Sequence, residues 1–136
     1  MEGIQLHNNE YARIVYDESL SMIKFKWKDK LTSHQKFKES LELYASLIEQ
    51  KCPTTLFVDA VYQRITLTQE LQDWHDKEIL PRYHHAGVKK MGFLIPQHIF
   101  SEVTHKKTFE TEQAKELIST RFFQDEKETM EWLQAD

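Results

Sequence analysis

The carboxylate of Asp59 is the first group in the sequence that is well placed for chemistry, because it directly follows a short apolar run. Leu56, Phe57 and Val58 precede it, and three large apolar residues in a row are typical of a strand buried on both faces of a parallel sheet. Such sheets place their ligand sites at the carboxyl ends of the strands. Asp59 is therefore a candidate ligand-binding residue, general base or phosphate acceptor. The structural alternative is that it caps the following turn.

Catalysis would need partner groups that the sequence does not supply around Asp59. The chain contains no glycine-rich loop, no G-x-S-x-G motif and no second carboxylate that supports Asp59. A hydrolase-like mechanism that uses Asp59 and a histidine is therefore the least favoured hypothesis. We predict no catalytic residue and no enzymatic activity.

Seven histidines raise the question of a metal site. They are His7, His34, His75, His84, His85, His98 and His105. Zinc sites need several converging ligands, usually at recognisable spacings. His84 and His85 are adjacent and so point in different directions on a helix, and the chain has neither an H-E-x-x-H motif nor a cysteine cluster. We therefore predict no metal and no cofactor.

Two further patterns have both a chemical and a structural interpretation. Cys52 is the single cysteine and ends the apolar face of a predicted helix, which favours a core thiol over a nucleophile. Lys24, Lys26 and Lys28 alternate along a predicted strand. This lysine stripe could bind an anion, but it is more typical of a solvated strand face that blocks edge-to-edge aggregation.

Length and composition limit the class of protein. The chain has 136 residues and a formal net charge of −4, which fits one domain and gives no electrostatic case for nucleic acid. No apolar run approaches the roughly 20 residues that a membrane span needs. Residues 1–11 contain no apolar signal segment, and the single cysteine fits a reducing compartment. We therefore expect a cytoplasmic protein.

The elements that would position these groups follow from hydrophobic periodicity. Strands are predicted over residues 11–16, 20–28, 55–59, 88–95 and 117–123. Helices are predicted over residues 33–51, from 68 to about 86, from 97 with a break after 104, and from 125 to the end. The order is β-β-α-β-α-β-α-β-α. It predicts an α/β fold with a mixed, mostly parallel sheet whose antiparallel first strand lies at an edge.

Local signals refine the helices. Thr32 and Gln35 are predicted to form the capping box of the first helix, and Thr68 and Asp125 are predicted to cap later ones. Pro81 should bend the second helix. A glycine at position 92, in the fourth predicted strand, permits the close approach of a helix.

Taken in order, segments of this chain resemble those of the small SpoIIAA-like proteins of the STAS superfamily. They are Ile14-Val15-Tyr16-Asp17, Trp27, Leu56-Phe57-Val58-Asp59, Trp74, Ala86-Gly87-Val88-Lys89-Lys90, Phe93-Leu94-Ile95-Pro96, Phe122-Phe123 and Trp132-Leu133. The resemblance covers nearly the whole chain. It implies one STAS-like domain over residues 1–136, with about five strands covered by helices. The fold is similar in outline to CRAL-TRIO lipid-binding domains, which implies an apolar ligand cavity.

The same resemblance implies a protein-binding role. STAS domains of anti-sigma-factor antagonists look like protein-binding switches that are phosphorylated on a serine after the third strand. Here that region runs from Asp59 to Thr68, its loop is longer, and the family's Asp-Ser-Ser/Thr-Gly motif is absent. This departure argues against a phosphoswitch at Thr66 or Thr68.

Two functions therefore remain as expectations. The first is a non-catalytic, STAS-like regulatory module that binds a protein partner or a second copy of itself. The second is a binder of a small apolar, lipid-like ligand in a pocket between the carboxyl end of the sheet and the helices that begin near residues 68 and 97. The expected rim of that pocket is Asp59, Tyr62, Trp74, Pro96 and Phe100, although core packing is the alternative interpretation of the aromatic residues.

Overall fold

The computed structural model describes residues 3–99 and 117–135 of the chain. In these ranges the strands are β1 (Ile4–Asn8), β2 (Ala12–Asp17), β3 (Met22–Trp27), β4 (Thr55–Asp59), β5 (Lys90–Leu94) and β6 (Ser119–Phe123). The helices are α1 (His34–Lys51), α2 (Gln69–Trp74), a π-helical turn (His75–Ile79), α3 (Leu80–His85) and α4 (Glu126–Gln134). The predicted helix beyond residue 99 and its break near 104 lie outside the described residues.

The described strands form one mixed sheet in the order β1-β2-β3-β4-β5-β6. The pairs β1/β2 and β2/β3 are antiparallel, and the three pairs from β3 to β6 are parallel. The predicted α/β class is confirmed, but the expected number of about five strands is wrong. The missed strand is β1, which takes the edge position expected for β2. Its sequence Ile-Gln-Leu-His-Asn has few strand formers, so its pairing with β2 stabilises it more than its own propensity does.

The two faces of the sheet carry different helices. Each parallel connection moves one strand in the same direction, and such crossovers are right-handed, so α1 and the α2–α3 segment lie on the same face. Phe25 and Val58 face these helices in the larger core. On the opposite face Phe57 and Leu94 pack with Leu133 of α4. The protein therefore has two cores, one on each side of the sheet.

Strand β4 lies at the centre of both cores. All five of its residues are buried, and Leu56 and Phe57 are fully buried on opposite faces. Its backbone pairs with β3 on one side and β5 on the other. The prediction of a strand buried on both faces is confirmed.

The start of α1 differs by one residue from the prediction. Ser33 is the N-cap, and its Oγ accepts a hydrogen bond of 3.1 Å from the backbone N–H of Lys36. The hydroxyl of Thr32 donates instead to the carbonyl of Lys30 at 2.8 Å. The predicted capping role of Thr32 is therefore wrong, because its hydroxyl is used in the preceding turn.

The end of α1 changes the interpretation of the cysteine. Cys52 is the C-cap residue, has a φ of 51° in the left-handed region, and is exposed. The left-handed geometry turns it away from the apolar face that the helix periodicity implied. The expected core thiol is therefore a surface thiol, 3.4 Å from the carbonyl oxygen of Glu49.

The segment after β4 begins as predicted and then departs from a simple helix. The hydroxyl of Thr68 accepts a 3.2 Å hydrogen bond from the backbone N–H of Leu71, which confirms it as the N-cap of α2. The backbone N–H of Leu80 donates to the carbonyl of His75, five residues back. Pro81 has no N–H to donate and crowds the preceding turn, and a π-helical turn forms just before it.

Arg82 ties α3 to α1. Its guanidinium donates to both carboxylate oxygens of Glu49, at 2.8 and 3.1 Å, and to Glu42 at 2.6 Å. The hydrogen bonds from Arg82 lower the pKa of the Glu49 carboxyl. Because these groups are partly exposed, each pair contributes at most about 1 kcal/mol. The main consequence of these hydrogen bonds is that α3 is held in a fixed position against α1, over the sheet.

Helix α4 lies directly on β5 at Gly92. A Cβ atom at this position would lie 3.0 Å from Cγ2 of Thr129 and 3.4 Å from the methyl groups of Leu133. The close helix approach predicted from this glycine is confirmed. Asp125 caps α4 as predicted, because its side chain accepts a hydrogen bond from the backbone N–H of Glu128 at 3.0 Å.

Candidate functional site

A cavity of about 540 Å³ lies between the sheet and the helices at the carboxyl end of the parallel strands. Its floor includes Val58 of β4, Met91 and Phe93 of β5, and Phe122 of β6. These side chains point to the face that carries α1, as the strand register requires. Small-molecule sites commonly have volumes of about 300–1,000 Å³, so the cavity is large enough for a ligand.

Aromatic side chains form one wall of the cavity. The rings of Trp27 and Phe37 are stacked with their centroids 5.4 Å apart, and those of Phe25 and Tyr44 are 4.6 Å apart at 58°. Contacts of this kind stabilise a rigid wall beyond simple burial. The wall joins β3 to α1, so it holds the shape of the cavity independently of the loops.

Two other concave regions are less suited to a ligand. One has about 200 Å³ and lies between β1, β2 and α1 beside Tyr11 and Ser40. The other has about 570 Å³ but is lined by five polar residues along the outer surface of α1. The first is small and the second is an open helix surface. The cavity between the sheet and α1–α3 is therefore the candidate site.

The polar end of the cavity is formed by α2 and the π-helical turn. Gln72, His75 and Asp76 line it. Among the partners of the Asp76 carboxylate, Nε2 of Gln72 donates to Oδ1 at 3.1 Å and Nδ1 of His75 lies 3.3 Å from the same oxygen. Asp76 is 7% exposed. The cavity thus joins an apolar body to a localised hydrogen-bonding end.

The sequence places these residues by helical spacing. Leu71 and Gln72 are followed four residues later by His75 and Asp76, so one side of the segment faces the cavity. The π-helical turn begins at His75, and turns of this kind are frequent at functional sites. Hydrophobic periodicity singles out neither His75 nor Asp76 as a site residue. The sequence signal that could have indicated them is the four-residue spacing of Leu71-Gln72 and His75-Asp76, shortly before Pro81.

Two buried tyrosines complete the helix side of the cavity. Tyr44 and Tyr83 are each 1% exposed and line the cavity, and the hydroxyl of Tyr44 donates to the carbonyl of Ile23 at 3.5 Å. Burial raises the pKa of both hydroxyls above the usual value of 10. Both phenols therefore stay neutral over the physiological pH range.

This burial predicts a loss of stability at alkaline pH. The pKa of Tyr44 and of Tyr83 is raised in the folded state. The contribution of each tyrosine to the free energy of unfolding is therefore complete below the unfolded pKa of about 10 and is lost as the pH rises above it. Each tyrosine should lower the free energy of unfolding by about 1.4 kcal/mol per pH unit there. Urea unfolding between pH 9 and 11.5 measures the slope. Tyr83→Phe should remove one tyrosine's share, and an unchanged slope would contradict the prediction.

The predicted rim residues lie in several places. Pro96 lines the cavity. Asp59 is buried and pairs with Lys26 of β3 in the strand register, so its side chain lies on the face of the sheet that carries α4. Its carboxylate accepts a hydrogen bond of 3.2 Å from the backbone N–H of Val61. Tyr62 is 53% exposed. The structure therefore does not bring Asp59 and Pro96 together.

The remaining predicted residues are also accounted for. Trp74 is half-buried beside Lys38, whose Nζ lies 5.3 Å from the ring, and Phe100 lies outside the described residues. Thr66 lines the cavity. Thr68 uses its hydroxyl to cap α2.

The lysine stripe is engaged locally in the described structure. Nζ of Lys24 lies 3.7 Å from a carboxylate oxygen of Glu126 and 4.6 Å from the centroid of the Phe57 ring. Nζ of Lys26 lies 6.0 Å from the Tyr62 ring. Strand β3 lies inside the sheet, between β2 and β4, so the expected role of the stripe in blocking edge-to-edge aggregation is wrong.

The described residues lack two features. Within residues 3–99 and 117–135, no group of three or more histidine, cysteine, aspartate or glutamate side chains is arranged to hold a metal ion. In the same part of the chain, no helix has the length and apolar character needed to cross a membrane. The chain matches no protein-family model, no curated protein and no solved structure in the comparisons made with them, so the function has to be inferred from this cavity.

Proposed function

We propose that the protein binds a small, largely apolar ligand in the cavity between the sheet and α1–α3. The observation that carries the proposal is the volume of about 540 Å³ together with walls of aromatic and aliphatic side chains. Protein interiors are otherwise packed as densely as organic crystals. An apolar cavity of this size, placed at the carboxyl end of parallel strands, is typical of a ligand site.

The affinity expected from burial sets the scale of the experiment. Each buried CH₂ group contributes about 0.8 kcal/mol, so a twelve-carbon chain contributes about 10 kcal/mol. Association costs at least about 4 kcal/mol. The difference corresponds to a dissociation constant of tens of micromolar, which ligand-observed NMR detects.

A substitution that fills the cavity should remove this binding. Ile65 lies in the loop between β4 and α2, is half-buried and lines the cavity, so Ile65→Trp should occupy part of its volume. We expect the affinity for 1-dodecanol to fall at least tenfold. The measurement is ligand-observed NMR on freshly purified protein, after native mass spectrometry has identified any copurified ligand.

The matched control is Leu31→Trp. Leu31 is 70% exposed and does not line the cavity, so the same added side chain should leave the affinity within twofold. Equal losses in both variants, or no binding of apolar probes by the wild-type protein, would contradict the proposed function.

The STAS-like protein-binding role also stands as a proposal. It is supported by the βα alternation of β3 to β5 and by exposed apolar side chains from two neighbouring segments. Leu31 pairs with Arg64 in an isolated bridge, and Tyr62 and Leu67 in the same loop are 53% and 39% exposed. Sedimentation velocity over a range of concentrations tests whether a second copy binds here. A dimer that becomes monomeric in Leu31→Lys would support this role, and a monomer at all concentrations would count against self-association.

A further inference from the structure

The lysine stripe lies on a face of the sheet that is only partly covered. The side chains of Lys24 and Lys26 point to the face that carries α4, beside Phe57 and Asp59 of β4. Helix α4 packs mainly on β4, β5 and β6, and Lys26 of β3 and Arg13 of β2 are both exposed. Within the described part of the chain, no helix therefore covers the sheet around Arg13 and Lys26.

Four cationic side chains form a basic face on or directly after these two strands. They are Arg13, Lys24, Lys26 and Lys28. Arg13 and Lys26 are directly opposite each other in the strand register, and like charges in this arrangement are destabilising. Nζ of Lys28 donates a hydrogen bond to the side chain of Asn8, which pairs with Arg13 from β1. Since β3 lies inside the sheet, protection of an edge does not account for this concentration of charge.

Most of these charges have no counter-charge among the described residues. Nζ of Lys24 lies 3.7 Å from a carboxylate oxygen of Glu126. Nε of Arg13 donates instead to the neutral side-chain amide of Gln5 at 2.8 Å. Neither Arg13 nor the other two lysines of the basic face forms an ion pair with a described residue. Three of the four cations can therefore meet the carboxylates of a partner.

Two side chains of the segment after β3 border the basic face. Asp59 is next to Lys26 in the register, but its carboxylate is buried and accepts the backbone N–H of Val61 at 3.2 Å. Nζ of Lys26 lies 6.0 Å from the centroid of the Tyr62 ring, and Tyr62 is 53% exposed. Tyrosine and arginine are enriched among the residues that dominate protein–protein binding. The basic face with Tyr62 at its border therefore has the composition of a protein-binding surface.

We propose that the basic face binds an extended acidic segment of a partner protein, with aspartate or glutamate at alternate positions and an apolar residue that contacts Tyr62. Alternate residues of an extended chain lie about 7 Å apart and point to one side, which is also the spacing of the lysines along β3. Charge-assisted hydrogen bonds from lysine and arginine to carboxylates would hold the segment in place. This binding is independent of the ligand cavity, which lies on the opposite face of the sheet.

The same observations favour a protein over a nucleic acid. The side chains of β2 and β3 that point to this face include no aromatic ring, whereas surfaces that bind single strands stack the bases on aromatic side chains. The formal net charge of the chain is −4, which opposes the approach of a phosphate backbone. A short acidic segment carries fewer charges and needs only the local basic face.

Two peptides of equal composition test the proposal on the full-length wild-type protein. One alternates its charges, Glu-Thr-Glu-Thr-Glu-Thr-Phe, and the other groups them, Glu-Glu-Glu-Thr-Thr-Thr-Phe. Titration of the isotope-labelled protein, followed by the NMR shifts of its backbone amides, measures both the affinity and the place of binding. We expect the alternating peptide to bind at least threefold more tightly, with its largest shifts in β2 and β3. Its affinity should fall at least fivefold between about 20 and about 200 mM NaCl, because salt screens exposed charges.

A matched pair of variants assigns the binding to the basic face. Lys26→Gln removes one exposed charge at its centre, so the affinity for the alternating peptide should fall at least fivefold. Lys77→Gln removes the same charge from an exposed lysine of the π-helical turn, on the other side of the sheet, and the affinity should stay within twofold of wild type. Tyr62→Ala leaves the charge unchanged and should weaken binding at least threefold.

Several outcomes would overturn the proposal. They are equal affinities of the two peptides, shifts confined to other elements, or equal losses in Lys26→Gln and Lys77→Gln. Tighter binding of an oligothymidylate of the same length than of the alternating peptide would assign the face to nucleic acid instead. Binding of 1-dodecanol should be the same in Lys26→Gln as in the wild-type protein, so the proposed ligand cavity stands or fails separately.

Discussion

Leu56→Ala is expected to lower the free energy of unfolding by about 3–5 kcal/mol, because it removes a side chain at the centre of the larger core. Leu56 is fully buried on β4, where it packs on the face that carries α1. The strand is hydrogen-bonded on both sides by β3 and β5. The surrounding backbone therefore has little freedom to collapse into the space left behind, and the cost should lie near the upper end of such substitutions.

Urea unfolding followed by circular dichroism measures this loss. The control is Leu31→Ala, which is the same chemical change at a side chain that is 70% exposed, and it should alter the free energy of unfolding by less than about 0.5 kcal/mol. Amide exchange gives an independent measurement, since the N–H groups of Thr55–Asp59 should be among the slowest to exchange. A cost below about 1 kcal/mol for Leu56→Ala would contradict the central position of β4.

The second large effect is expected for Gly92→Val, which should lower the free energy of unfolding by about 2–3 kcal/mol. The new side chain would meet Thr129 and Leu133 of α4, because even a Cβ atom would lie 3.0 Å from Cγ2 of Thr129. Strand β5 is held between β4 and β6, so the helix has to move. The loss should be measured by urea unfolding.

A double-mutant cycle separates this steric cause from strand propensity. Gly92→Ala should destabilise less than valine does. Thr129→Ser removes Cγ2 but keeps the hydroxyl that donates to the carbonyl of Asp125 at 2.8 Å, so it should recover part of the loss. Additive effects of the two substitutions would show that contact with Thr129 is not the cause.

Sequence reasoning predicted the elements whose signals are local and strong. The structure buries β4 on both faces, as its three consecutive large apolar residues predict. It also buries Ile23, Phe25 and Trp27 of β3, as their alternation predicts. Gly92 in a buried strand predicts the close approach of another element, and α4 lies there in the structure. These predictions depend on the period of side-chain directions along one element.

The predictions that failed involve competition between neighbouring residues or distant pairing. Strand β1 has a weak sequence signal and depends on hydrogen bonds with β2. Thr32 and Ser33 are both good capping residues, and the preceding turn, which engages the hydroxyl of Thr32, leaves Ser33 as the cap. Cys52 is exposed because the chain turns left-handed there. None of these outcomes follows from hydrophobic periodicity.

The candidate site also combines a feature that local sequence predicts with features that depend on the tertiary structure. Asp59 ends β4 as expected, but the strand register assigns its side chain to the face of α4, whereas the cavity lies on the other face. A shift of one residue along a strand moves a side chain to the opposite face. The location of the site near the ends of the strands was therefore predictable, while the side chains that line it were not.

The sequence by itself determined the α/β class, the doubly buried strand β4 and the ends of several helices, because those features depend on side-chain period and on capping groups a few residues apart. Only the tertiary structure decided the order of the strands, the face on which each helix lies and the approach of the π-helical turn to the sheet. Those features bring Asp76 of one segment beside Phe93 of another to line the same cavity. Contacts between residues far apart in the chain depend on how complete elements pack, and no local pattern encodes that packing.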